Sequence, residues 1–114
     1  MPTILLETRG ARSGRLRQAV LGFLEEPPDA WLIIALKGGA AGNPAWLHNL
    51  AHDRDATIQF ADRRQVQVHA ETLEGSELES AWRRIEVEAH QYSDYRTRTD
   101  REIAVVRLRR RQDA

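Results

Sequence analysis

Four arginines crowd a single short segment near the start of this 114-residue chain. Arg9, Arg12, Arg15 and Arg17 are interleaved with glycines and with Ser13. Guanidinium groups, a serine hydroxyl and free backbone amides are the donors that bind phosphate or carboxylate groups in proteins. The alternative is an exposed hairpin tip whose arginines are solvated and bind nothing, because charged turns are common on protein surfaces. The residue types leave both interpretations open.

A second candidate segment is built around Lys37, the only lysine of the chain. It follows an apolar run that is typical of a buried strand, and Gly38 and Gly39 come directly after it. Glycines allow the backbone to adopt positive φ or to approach a ligand closely. Asn43 as N-cap and Pro44 at the first helical position then indicate a helix start. The segment predicts an anion or cofactor cradle; the alternative is a strand-end lysine in solvent.

Four more side chains could shape a bound ligand. In the helix predicted over Asn43–His52, Trp46 and Asn49 share one face, where they could stack on a planar ligand and hydrogen-bond to it. A core position for Trp46 is the alternative. Tyr92 and Tyr95 could line a substrate pocket or donate a proton, or they could pack half-buried beneath a loop.

Other chemistries are excluded or disfavoured by the composition. The chain has no cysteine, so thiolate metal sites and a cysteine nucleophile are absent. His48 and His52 have the helical spacing of a two-histidine metal site, but no glutamate follows His48 as a base, and no metal is predicted. The formal net charge is zero, which gives no argument for nucleic-acid binding. No apolar run approaches membrane-spanning length and no signal peptide is found, so we predict no integral membrane segment and a cytoplasmic location.

The candidate residues are positioned by short strands and two clear helical segments. Strands are predicted at Thr3–Thr8, Leu16–Leu24, Ala30–Leu36, Ala56–Phe60, Val66–Glu71 and Ile103–Leu108, and a surface turn at Glu25–Asp29. Short turns between consecutive strands predict a mainly antiparallel sheet. The length suffices for one domain, residues 1–114. The predicted fold is α+β, a closed or split β-barrel flanked by helices.

The second half of the chain carries its own helix signals. Ser76 and Glu79 have capping-box spacing, which predicts a helix N-terminus at Ser76. Leu78, Ala81, Trp82, Ile85 and Ala89 form the apolar stripe of that helix. The segment from Tyr92 to Tyr95 is predicted as a break. The arginines that follow Leu108 are predicted to be frayed.

Four blocks of residues, in order, together cover nearly the whole chain and resemble one family. They are Thr8 with Gly10–Gly14 and Arg17; Lys37-Gly38-Gly39; Asn43-Pro44 with Trp46, Asn49 and Leu50; and Tyr92, Tyr95, Thr99, Arg101 and Ile103. In this pattern the chain is similar to the small deazaflavin-dependent, nitroreductase-like oxidoreductases, which use coenzyme F420. The resemblance implies a split β-barrel of the kind found in flavin-mononucleotide (FMN)-binding pyridoxamine-phosphate oxidases, with two or three flanking helices.

The resemblance also implies a reaction and a site. The reaction is hydride transfer from reduced F420 to a quinone-like, nitroaromatic or enone acceptor. The implied phosphate contacts are Arg12, Ser13 and Arg17; the implied contacts to the deazaflavin and its linker are Lys37, Gly38, Gly39, Trp46 and Asn49; Tyr92 and Tyr95 face the acceptor. F420 carries a phosphodiester and an anionic glutamate tail, which suits a basic turn. The cofactor performs the hydride chemistry, so no catalytic triad is required.

Two residues depart from the family pattern. Ala11 stands at the first basic position of the turn, where Arg9, Arg12 or Arg15 would have to compensate. Leu36 stands before Lys37, where a serine is frequent, so the choice of acceptor is open. These departures motivate a second hypothesis, a non-catalytic module that binds or carries F420, and a third is an FMN-dependent enzyme of the same fold. A homodimer paired through a sheet face is also compatible with the fold.

Overall fold

The computed structural model describes residues 2–36, 43–98 and 102–112. Within them the chain forms seven strands and three helices. In chain order these are β1 (Thr3–Arg9), β2 (Leu16–Gly22), β3 (Leu24–Glu26), β4 (Ala30–Ile34), α1 (Ala45–His52), β5 (Asp55–Gln59), β6 (Gln65–Thr72), α2 (Gly75–Glu88), α3 (His90–Arg98) and β7 (Val105–Arg110). The predicted α+β class, with helices flanking a sheet, is confirmed.

The seven strands of the described chain form one curled sheet in the order β2-β1-β5-β6-β7-β4-β3. Every neighbouring pair is antiparallel, as predicted. The curl brings β2, at one end of the order, into contact with β4 near the other end. β1 and β2 pair along their full lengths, from Thr3 opposite Gly22 to Arg9 opposite Leu16. This hairpin therefore presents the arginine-rich turn at one end of the sheet.

Two apolar clusters hold the fold together on opposite faces of the sheet. The inner cluster fills the curl of the sheet, and α1 covers it through Trp46 and Leu50. The outer cluster lies between the sheet and α2. Alternate residues of β4 serve the two clusters, since Ile33 packs in the inner one and Leu32 in the outer one. A strand buried on both faces reads as a continuous apolar run, which is why β4 lacks polar alternation.

The single strand predicted over Leu16–Leu24 is wrong. The structure ends β2 at Gly22 and resumes with β3, which pairs with β4 instead of β1. At the break the Phe23 N–H donates to the Pro2 carbonyl (3.1 Å), and the Phe23 ring is buried in the inner cluster. Because the chain changes partner there, Glu25 and Glu26 belong to β3, although a surface turn was predicted for them.

The predicted helix starts are also corrected. α1 begins at Ala45, and Pro44 precedes it in an extended conformation (φ −66°, ψ 152°), so Asn43 is not the N-cap. α2 begins at Gly75 after an extended Glu74, so the capping box predicted at Ser76 does not form. The chain still belongs to the sheet at Leu73, whose backbone N–H donates to the Val105 carbonyl (2.9 Å), and α2 begins two residues later.

The break predicted over Tyr92–Tyr95 lies inside a helix. α3 runs through both tyrosines, and the interruption is at Ala89, whose backbone leaves the helical region (φ −146°). No helix of the described residues is long and apolar enough to cross a membrane.

The predicted strand ends shift by one or two residues. β4 ends at Ile34 instead of Leu36, β5 spans Asp55–Gln59 instead of Ala56–Phe60, and β7 begins at Val105 instead of Ile103. At the other end of β7 the predicted fraying is wrong for all three arginines, because Arg109 and Arg110 belong to the strand and the Arg111 N–H donates to the Gln67 carbonyl (2.9 Å). The Arg110 N–H donates to the Asp29 carbonyl (2.8 Å), and its guanidinium pairs with the Asp29 carboxylate, which keeps the strand ordered.

Candidate active site

A cleft of about 840 Å³ opens between the arginine turn, β2 and α1. Its lining residues are Thr8, Gly10, Ala11, Arg12, Ser13, Arg17, Gln18, Ala19, Ala45, Trp46, His48 and Asn49. Cationic and hydroxyl groups come from the turn and the start of β2, whereas alanines and Trp46 supply apolar surface. No carboxylate occurs among these described lining residues.

The turn is closed by its own hydrogen bonds. The Gly10 N–H donates to the Arg15 carbonyl (2.7 Å), and the Gly14 N–H donates to the Gly10 carbonyl (2.9 Å). The Ser13 hydroxyl oxygen accepts from the Arg15 N–H (3.1 Å), and the Arg9 guanidinium donates to the Gly14 carbonyl (2.7 Å). Gly14 has φ +71°, a conformation that favours glycine. These bonds close the base of the loop, where the residues on either side of Ala11, Arg12 and Ser13 meet.

Gly10 is required for a different reason, the close approach of the two sides of the turn. A Cβ atom at this position would lie 2.9 Å from the Ser13 hydroxyl oxygen and 3.2 Å from the Arg15 carbonyl oxygen. Both distances are shorter than ordinary van der Waals contact. A larger residue would therefore displace the Ser13 hydroxyl, which lines the cleft, and press on the Arg15 carbonyl.

Three arginines at this turn carry unpaired guanidinium groups. Within the residues that the structure describes, the side chains of Arg12, Arg15 and Arg17 make no ion pair and no hydrogen bond. Arginines elsewhere form ion pairs with carboxylates: Arg107 pairs with Glu26, and Arg109 pairs with Glu71 at 2.9 Å. Arg12 and Arg17 line the cleft and Arg15 does not. Two cationic groups are therefore available at the cleft for an anionic ligand.

α1 forms the opposite wall of the cleft. Asn49 is buried, and its side-chain amide donates to the Thr8 hydroxyl (3.1 Å) while its carbonyl oxygen accepts from the Ala11 N–H (3.0 Å). Trp46 is only 6% exposed, so it is both a core residue and a lining residue. A core position for Trp46 is thus compatible with contact between its side chain and a ligand in the cleft.

The structure brings part of the predicted site together. Arg12, Ser13, Arg17, Trp46 and Asn49 line the same cleft. The predicted contacts at residues 37–39 lie outside the described residues.

The two predicted acceptor residues are placed elsewhere. Tyr92 and Tyr95 lie on α3 and do not line the cleft. Tyr92 packs against the outer cluster, as does Leu36. Tyr95 is 39% exposed, and the guanidinium carbon of Arg98 lies 5.6 Å from its ring centroid. The predicted role of both tyrosines at the acceptor stays a prediction.

Some lining residues were not predicted as site residues. Gln18 and Ala19 follow Arg17 on β2, and the hairpin register sets Thr8 opposite Arg17. Ala45 and His48 lie on the helix face that also carries Asn49, with the spacing i, i+3, i+4 that brings residues together on a helix. That spacing was a usable signal for His48, which the sequence suggested only as a weak metal candidate. Among the described residues no group of three potential metal ligands occurs.

The donor set fits an anionic cofactor with a planar ring. Unpaired guanidinium groups and the Ser13 hydroxyl form the polar lining of the cleft, suited to phosphate and carboxylate groups. The Trp46 side chain and neighbouring alanine methyl groups form an apolar part, suited to a ring system. The fold and this cleft together define the class of protein, a split β-barrel with a cleft between its first hairpin and its first helix.

The chain belongs to the F420H2-dependent quinone reductase family, whose sequence model matches residues 1–110. A curated relative, an F420H2-dependent quinone reductase of Mycobacterium tuberculosis, is 36% identical over 113 residues, which is 96% of this chain and 74% of the relative. The predicted resemblance to deazaflavin-dependent oxidoreductases is confirmed.

Solved structures agree with this assignment. A structure of an F420H2-dependent reductase superposes with a TM-score of 0.82 at 32% identity, covering 94% of this chain and 93% of that one. A structure described as a domain-swapped dimer superposes equally well, with a TM-score of 0.82 and 32% identity over 94% of this chain and 79% of the other. The split-barrel fold, the oxidoreductase class and the use of coenzyme F420 are confirmed, and the FMN alternative is not needed.

Proposed function

We propose that this chain transfers a hydride from reduced F420 to a quinone, and that the cleft beside the arginine turn holds the cofactor. The observation that carries the proposal is the pair Arg12 and Arg17, which line the cleft with guanidinium groups unpaired among the described residues. A charged group without a partner beside a concave surface is typical of a binding site. Phosphate and carboxylate groups of F420 are the anions that this pair would bind.

The protein's own part in the reaction is binding and orientation. When bound, reduced F420 supplies the hydride from C5 of its ring. Arg12, Arg17 and the Ser13 hydroxyl would hold the anionic part of the cofactor, and Trp46 would contact the ring system. Alignment of two reactants at a fixed distance lowers the barrier without a protein nucleophile.

The remaining predicted residues complete the proposal. Lys37, Gly38 and Gly39 join β4 to the segment before α1, a wall of the cleft, and we propose that they contact the deazaflavin and its linker. A quinone that accepts a hydride also takes up a proton, and a tyrosine hydroxyl can donate one. Tyr92 and Tyr95 are proposed for the acceptor side on the strength of the family pattern.

The family and the mycobacterial relative are both named quinone reductases. This supports a quinone as the acceptor over a nitroaromatic or an enone. A homodimer and a cytoplasmic location remain predictions from the sequence. The first is supported by the likeness to the structure described as a domain-swapped dimer.

The test is a turnover assay with purified protein, reduced F420 and menadione, a quinone, in which the oxidation of F420 is followed by its absorbance. We expect oxidation that is proportional to protein concentration and that requires menadione. Reduced FMN in place of F420 is the matched control and should give no protein-dependent rate. Binding of F420 without oxidation by menadione would contradict the proposed reaction and support the carrier hypothesis.

A further inference from the structure

A single buried side chain ties the first helix to the arginine turn. Asn49 is 7% exposed, and both ends of its amide group are engaged. Its oxygen accepts from the backbone N–H of Ala11, 38 residues away, and its nitrogen donates to the hydroxyl of Thr8, 41 residues away. Thr8 is itself only 1% exposed. These two bonds connect α1, β1 and the turn in one buried network.

The hydrogen bond between Ala11 and Asn49 lies beside residues that line the cleft. Ala11 directly precedes Arg12, whose guanidinium lines the cleft, and Ser13 follows. The backbone N–H groups of Arg12 and Ser13 have no acceptor among the residues that the structure describes. Among the hydrogen bonds of the described residues, the one that the Ala11 N–H donates to Asn49 therefore joins this side of the turn to the helix.

We propose that Asn49 is a positioning residue, which orders the arginine turn so that Arg12 and Ser13 face the cleft, instead of a residue that acts by contacting the cofactor. This inference rests on the proposed role of the turn in binding F420. It replaces the role that the family pattern suggested for Asn49. Its amide is suited to the task because an amide offers one acceptor and one donor at a fixed separation.

The partner residue Thr8 separates positioning from direct contact. Thr8→Val keeps the shape of the side chain but removes the hydroxyl that accepts from Asn49. Under the positioning proposal this change loosens Asn49 and therefore the turn. Were Asn49 acting only through contact with the cofactor, loss of the Thr8 hydroxyl would leave the turn of the cofactor-free protein unchanged. Thr8→Ser retains the hydroxyl and is the matched control.

The first readout is amide hydrogen exchange in the cofactor-free protein, measured by NMR. We expect the Ala11 amide of the wild type to exchange more slowly than the Arg12 and Ser13 amides. Asn49→Ala and Thr8→Val should accelerate the Ala11 amide by about tenfold, the equivalent of one net hydrogen bond. The core amide of Ile58 should keep its rate, which shows that the variants are folded. An Ala11 amide that exchanges as fast as that of Arg12 in the wild type would overturn the proposal.

The second readout is the dissociation constant of oxidised F420. Asn49→Ala and Thr8→Val should each raise it by about tenfold, and Thr8→Ser, which keeps the hydroxyl, should raise it less than Thr8→Val does. An accelerated Ala11 amide with unchanged F420 affinity would also overturn the proposal. If the wild type does not bind F420, the proposed function fails separately, and the exchange rates alone decide whether Asn49 orders the turn.

Discussion

Ala11 shows how one residue can lose a charge and keep a structural contact. At this position the family pattern has a basic residue, and in this chain only the backbone N–H, held by Asn49, and a methyl group remain. Arg9 does not compensate at the cleft, because its guanidinium donates to Gly14 within the turn. Arg15 does not line the cleft. Of the three arginines that could replace the missing charge at position 11, only Arg12 therefore lines the cleft.

Gly10→Ala tests at the residue scale whether the shape of the turn sets affinity. The added methyl group would press on the Ser13 hydroxyl and the Arg15 carbonyl, so we expect F420 affinity to fall by about tenfold or more. Gly75→Ala is the control, because φ is +57° there and the strain costs about 1 kcal/mol of stability without touching the cleft. F420 titration and urea unfolding measure the two effects. Wild-type affinity in Gly10→Ala would contradict the account.

At the scale of elements, an ion-pair cluster joins strand to helix on the outer face of the sheet. Arg107 on β7 binds both carboxylate oxygens of Glu26 on β3 (2.6 and 3.1 Å) and one of Glu77 on α2 (2.8 Å). Its side chain is 14% exposed. The hydrogen bonds from Arg107 to Glu26, and then those to Glu77, raise the pKa of Arg107 further above its ordinary value. The cluster fastens the short strand β3 and the helix α2 to the sheet.

Arg107→Ala should lower the free energy of unfolding by about 2 kcal/mol, between the values for exposed and fully buried pairs. Arg109→Ala is the control two residues along the same strand; its pair with Glu71 is about half exposed, and the loss there should be under about 1 kcal/mol. Urea denaturation of both variants measures the difference. Equal losses would show that Arg107 does not fasten β3 and α2.

For the whole molecule, the sequence predicted the fold well wherever the signal was local. Alternation over residues 66–70 identified β6, and the apolar run from Trp31 identified β4. The break at Phe23 could not be read in this way, because both sides of it are strand-like and the change of partner depends on the closure of the sheet. Ser76 failed as a helix start because α2 already begins at Gly75, two residues after a sheet contact at Leu73 that depends on tertiary structure.

The candidate site was predictable to the extent that its residues follow the family pattern. Arg12, Ser13, Arg17, Trp46 and Asn49 line one cleft, yet a formal net charge of zero gives no sign of its cationic lining. The arginines of the cleft stay unpaired because the carboxylates pair with other arginines, and such pairing depends on tertiary structure. The hydrogen bonds of Asn49 could not be predicted from the sequence either. Helical spacing indicates the face on which a residue lies, but not its hydrogen-bond partners.

The most direct test of the account is the affinity for oxidised F420 of Arg12→Glu and Arg17→Glu, measured by tryptophan quenching. Each reversal removes a charge-assisted hydrogen bond, so the dissociation constant should rise by about tenfold or more in each variant. Arg63→Glu is the matched control: its guanidinium is also unpaired among the described residues, and it lies in the turn after β5, at the far end of the sheet. We expect wild-type affinity for Arg63→Glu and weak binding for the other two. Equal affinity in all three variants would contradict it.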